Sequence, residues 1–156
     1  MKEFKIQSDL LKAMCDGTRW AYDDTTIPGR VGITADGYVL HLLNADRVFL
    51  RLDNEEKRST TLARPARVES KDLWPLVPTN DLLQRKKYTA QKYLFRGHEN
   101  SPVWLNPKLL KHFESPALWQ TQYCWHGPII VTEDRDGYPD IVGFVMPVNI
   151  NAKEEA

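Results

Sequence analysis

The chain has 156 residues, 42% hydrophobic and 27% charged, with five Trp and a formal net charge of zero from 21 basic and 21 acidic side chains. That size and composition suit one globular domain and exclude a disordered or polybasic chain. The longest apolar stretch is far below the roughly 20 residues a membrane span needs. Cys15 and Cys124 stand alone, with no CxxC and no secretory pattern at the start, so the expectation is a cytoplasmic protein with reduced thiols.

In chain order, Phe4 and Ile6 alternate with Lys5 and Gln7 and predict a short strand. Ser8 is a helix N-cap, and Leu10, Leu11, Met14 and Cys15 form the apolar stripe of the helix that follows. Arg30 to Thr34 predicts a strand, Asp36-Gly37 a tight turn, and Tyr38 to Leu52 two further strands. Residues 54–90 connect the halves, and 54–80, with Pro65, Pro75 and Pro78, are irregular. This connection leads to a strand at Lys92–Arg96. Then come Asn106 as a cap, Pro107 as the first residue of a second helix, and a stop at Pro116. Gly127 to Thr132 and the run from Ile141 predict strands joined by Asp136-Gly137.

The two halves look alike. FKIQSDLLKAM at 4–14 aligns without gaps on VWLNPKLLKHF at 103–113, and Asp36-Gly37-Tyr38 precedes Asp136-Gly137-Tyr138 by 100 residues. The sequence therefore predicts one α+β domain over 1–150. Its pseudo-symmetric halves, 1–53 and 91–150, are each strand, helix, strands, with two helices on one face of a mainly antiparallel sheet. Residues 151–156 form a tail.

Charge is uneven. Residues 54–100 hold ten basic and six acidic side chains, and no acid lies between Leu82 and His98. Arg85, Lys86, Lys87, Lys92 and Arg96 in that stretch make either a solvated edge or a phosphate-contacting surface.

With its opening Leu-Leu-Lys helix, the segment YLFRGHENSPVWLNPKLLKHF and the ending YPDIVGFVMPV, the chain resembles one domain of a bacterial sliding DNA clamp. The resemblance implies a non-enzymatic, cofactor-free protein that tethers replication or repair partners to DNA, as a homo-oligomer. A clamp ring has six domains and this chain has room for one. In that family, domain helices face duplex DNA, which would place Lys12, Arg19, Lys108, Lys111 and His112 toward phosphate. A pocket for short peptides of polymerases and other DNA-processing proteins would take Phe144, Val145, Met146, Pro147 and Val148 from the last strand. Asp46, Arg47 and Val48 would join it from a loop of the first half. The alternative is a clamp-fold interaction or inhibitory module that does not encircle DNA.

Catalytic chemistry finds little footing. His41, His98, His112 and His126 are not spaced as metal pairs. His98-Glu99 as an acid/base pair, Cys124 with His126 as nucleophile and base, and Asp134, Asp136 and Asp140 as a calcium loop each lack the further members such sites need. Trp119, Tyr123 and Trp125 are expected in the core or an interface.

Overall fold

The computed structural model describes residues 2–16, 21–23, 29–34, 38–49, 56–57, 73–95, 98–121 and 127–150. Among these there is one α-helix, α1 (Glu3–Cys15). The first strands are β1 (Ala21–Asp23), β2 (Arg30–Thr34), β3 (Val39–Asn44) and β4 (Glu56–Lys57). They are followed by β5 (Leu73–Gln84), β6 (Thr89–Phe95) and β7 (His98–Leu105). The last three are β8 (Ala117–Thr121), β9 (Ile129–Arg135) and β10 (Tyr138–Val145). All ten belong to one sheet in the order β4-β1-β2-β3-β10-β9-β8-β5-β6-β7, antiparallel except where β4 meets β1.

This corrects the expected α+β clamp domain with two helices on one face. Phe4–Gln7 is helical. Four alternating residues also fit a helix, and Ile6, Gln7 and Leu10 form its buried stripe, leaving Ser8 in mid-helix. The second expected helix is a single 3₁₀ turn at Pro107–Leu110. Its cap is as expected, with the Lys108 N–H donating to Asn106 Oδ1 at 3.1 Å. An isolated helix this short has little stability of its own, so packing decides its length. Leu109, Leu110 and Phe113 pack onto the core, and Ser115 at φ 43° leads into Pro116 and β8. Aligned residues 4–6 and 103–105 are thus helix and strand, so the two halves are not structural repeats. The connector is not irregular throughout either, because β5 begins at Leu73. Pro78 sits where β5 slips register against β6, a place a strand tolerates proline.

The sheet rolls up. β5 to β10 enclose a core of Leu76, Tyr93, Phe95, Val103, Leu105, Leu118, Ile129, Val131, Val142 and Val145. The chain leaving β10 reaches the far edge, where the Val148 N–H donates to the Trp104 carbonyl at 2.8 Å. One bridge therefore closes a six-strand curl, removing part of an exposed edge. β2 and β3 extend from this curl, and α1 covers them through Ile6, Leu10, Ile33 and Leu43. β3 is buried on both faces. Leu40 and Leu42 face one cluster with Ile130 and Phe144, while His41 and Leu43 face the other way.

The Asp136-Gly137 turn is as expected. Both residues have positive φ, 53° and 86°, which matches the twist of a two-residue hairpin. Asp36-Gly37 lies outside the described residues, though β2 and β3 on either side pair antiparallel. No described helix is long and apolar enough to cross a membrane.

Candidate functional site

Two places concentrate chemistry. The first is the β5–β6 hairpin. Gln84 pairs with Thr89, and Arg85 N–H donates to the Tyr88 carbonyl at 2.8 Å, so Lys86 and Lys87 form a two-residue tip. The register slip below it is braced: Thr79 Oγ1 donates to the Lys92 carbonyl at 2.8 Å, and Gln91 Nε2 donates to the Thr79 carbonyl at 3.0 Å. Lys92 faces Asp81 at 4.0 Å, and Arg85 Nη2 donates to the Asn149 carbonyl at 3.4 Å. Lys86 and Lys87 are exposed and carry no ion pair among the described residues. Arg96 lies outside them.

The second is the corner where α1 meets the turn after β7. Lys2 N–H donates to the His112 carbonyl at 3.1 Å, and His112 Nε2 meets Asp9 Oδ2 at 3.0 Å. Asp9 Oδ1 also faces Lys5 Nζ at 3.5 Å. Behind this pair His41 is stacked on Phe113, ring centroids 5.0 Å apart, and lies edge-on to His112 at 5.6 Å. The Phe113 ring fits because residue 143 is glycine. A Cβ there would lie 2.7 Å from the ring and 2.5 Å from the Leu40 carbonyl oxygen. A cavity of about 140 Å³ opens between Ile6, Asp9 and Leu10 of α1, Val39 and His41 of β3, and Lys111 and His112.

Burial, then the nearby His112 and Lys111, push the His41 pKa down to about 3, so its imidazole is neutral near pH 7. His112 is also lowered, by burial first and by Lys111 next, while Asp9 opposes the shift. His41 Nε2 is buried without a hydrogen-bond partner among the described residues.

The expected DNA-facing residues are only partly brought together. Lys12, Lys108 and Lys111 are exposed, His112 is buried against Asp9, and Arg19 lies outside the described residues. His112 meets α1 at Asp9, one helical turn from Lys12. The residues expected to form a peptide pocket are dispersed. Phe144 and Val145 are fully buried in separate clusters. Met146, Pro147 and Val148 are half-buried, with Met146 N–H donating to the Tyr38 carbonyl at 2.8 Å. Asp46 and Arg47 are exposed on a 3₁₀ turn, and Val48 packs against α1. Trp119 is partly buried, its Nε1 donating to Thr132 Oγ1 at 2.9 Å, as expected of a core aromatic. Tyr123, Cys124, Trp125 and His126 lie outside the described residues, as do the side chains of His98 and Glu99.

His41 and Asp9 were not among the residues expected to form a site. The one local signal was a histidine inside the apolar run YVLHLL. A polar group there must be explained by burial with a purpose or a partner. Comparison with family models, curated proteins and solved structures finds no match for this chain.

Proposed function

We propose that this protein is a non-enzymatic adaptor that touches nucleic-acid phosphate through the Lys86-Lys87 tip of its β5–β6 hairpin. The observation that carries the reading is this tip: two exposed lysines with no ion pair among the described residues, at the end of a braced arm, beside Arg85, on a chain with zero net charge. Concentrating charge on an arm gives contact with phosphate while the rest of the surface remains neutral. Phosphate contacts of this kind position a protein without reading sequence. Binding is therefore weak and non-specific, suited to tethering.

Fluorescence anisotropy with a labelled DNA duplex at several salt concentrations tests it. Two neutralised phosphates give a log–log salt slope of about −1.8. Lys86→Glu with Lys87→Glu should abolish the binding and leave the circular-dichroism spectrum unchanged. Salt-independent binding, or none by the native protein, defeats the proposal.

A second reading, a protein-interaction module, is favoured by a separate observation. Phe4 is 76% exposed and Phe49 51% exposed, and their rings lie 5.4 Å apart. Leu11, 47% exposed, follows Phe4 by two helical turns on the same face of α1. Pull-down of a protein that Phe4→Ser and Leu11→Ser release, from an otherwise stable fold, would support this reading.

A further inference from the structure

We infer that the corner of α1, β3 and the turn after β7 is an acid-sensitive latch, in which a proton taken up by His41 releases α1 from the sheet while β5 to β10 stay folded. The latch uses none of the β5–β6 hairpin residues and is independent of the proposed function. α1 is a separable unit. Its Ile6 and Leu10 pack with Ile33 and Leu43 in a cluster of their own, distinct from the core that β5 to β10 enclose. Its polar ties are Asp9 to His112, Glu3 to Arg47 at 4.0 Å, and Gln7 to the backbone of Arg47 and Phe49 at 3.2 and 2.8 Å. An element held by so few buried side chains belongs to the part of a fold that opens first.

His41 supplies the trigger. It is 6% exposed and borders the same cavity as Ile6, Asp9 and Leu10 of α1, and its Nε2 is buried with no hydrogen-bond partner among the described residues. A neutral ring stacked on Phe113 tolerates that place. An imidazolium, with an N–H to satisfy at each nitrogen, does not. The surroundings offer the charge no compensation. The turn brings His112, edge-on at 5.6 Å, and Lys111. The α1 side brings Asp9, which His112 already holds at 3.0 Å and Lys5 at 3.5 Å, and Lys2 adds positive potential at His112. The flanking strands place Ile33 and Gly143 opposite His41, and neither ionises. His112 thus has a counter-charge in Asp9, while His41 has none among the described residues. Lifting α1 admits water and returns His41 to its ordinary value of 6.5, against about 3 when docked. The open state therefore binds more protons between those limits, and docking weakens by up to about tenfold for each pH unit below 6.5. His112, also lowered, adds to this in the same direction. Release bares Ile6 and Leu10 on the helix and Ile33 and Leu43 on the sheet, so the step that charges His41 also uncovers an apolar surface.

The test is hydrogen–deuterium exchange of the full chain between about pH 7.5 and 4.5, read by mass spectrometry as protection relative to the unfolded chain at each pH. Below pH 6.5 the amides of α1 should lose protection by up to about tenfold per pH unit, while β9 and β10 keep theirs. His41→Phe, which keeps an uncharged ring on Phe113, should lose most of this pH dependence. Leu10→Ala, which weakens docking and leaves His41 in place, should release α1 at a higher pH than the native chain does. Protection lost from β9 and β10 together with α1 makes the event global unfolding and overturns the latch. So does an α1 equally protected at both ends of the range. Undiminished acid sensitivity in folded His41→Phe overturns the trigger, and release of Leu10→Ala at an unchanged pH overturns the assignment of the event to α1 docking.

Discussion

Asp9 and His112, 103 residues apart in sequence, meet at 3.0 Å and fasten α1 to the turn that follows β7. The Lys2 N–H bond to the His112 carbonyl lies beside them, so the amino-terminal helix is held at both a side chain and the backbone. Asp9 is about one-third exposed, which keeps the value of the pair modest.

Asp9→Asn should therefore destabilise the protein by about 1 kcal/mol, and His112→Gln by a similar amount. A double-mutant cycle in urea denaturation should recover most of this as coupling. Strict additivity of the two changes would show that the contact does not form in solution.

Stability should depend on pH through His41. Its folded pKa, about 3, lies below the ordinary histidine value of 6.5, so the unfolded chain binds more protons between those limits. The stabilisation is complete above pH 6.5 and is lost as pH falls toward 3. The slope is at most about 1.4 kcal/mol per pH unit from this group, and the lowered His112 acts in the same direction. Urea midpoints measured from pH 7.5 to 4.5 should fall steadily. In His41→Phe the fall should be much shallower; an unchanged slope would assign the effect elsewhere.

Gly143→Ala should be among the most damaging single-methyl additions in this protein. The new Cβ would meet the Leu40 backbone oxygen at 2.5 Å and the Phe113 ring at 2.7 Å. We expect a loss of about 3 kcal/mol in thermal or urea unfolding. Phe113→Ala should fail to rescue it, because the closer obstacle is backbone.

Gly137→Ala isolates a different effect. Nothing lies within 4 Å of its would-be Cβ, yet φ is +86°. The cost is conformational strain alone, about 1 kcal/mol, and Gly137→Asn should recover part of it. A loss as large as that of Gly143→Ala would contradict the hairpin geometry.

Local signals were the legible ones. Asp136-Gly137 declared its hairpin, Asn106 its cap, and the apolar run from Ile141 its central strand, because each depends on neighbours in sequence. Phe4–Gln7 misled because four residues fit both periods, and the deciding contacts, Ile33 and Leu43, lie elsewhere in the chain. The repeat misled for the same reason: shared apolar spacing says which residues are buried, without fixing helix or strand. The corner site was illegible since His41, Asp9 and His112 come from three separate elements.

The sheet order also sets a schedule for folding. β3 has both faces apolar, and its neighbour β10 lies about 100 residues later, with His41 opposite Gly143. During synthesis β3 lacks its partner on that side until β10 has been made. Until then that strand edge has unpaired N–H and C=O groups that another chain could meet.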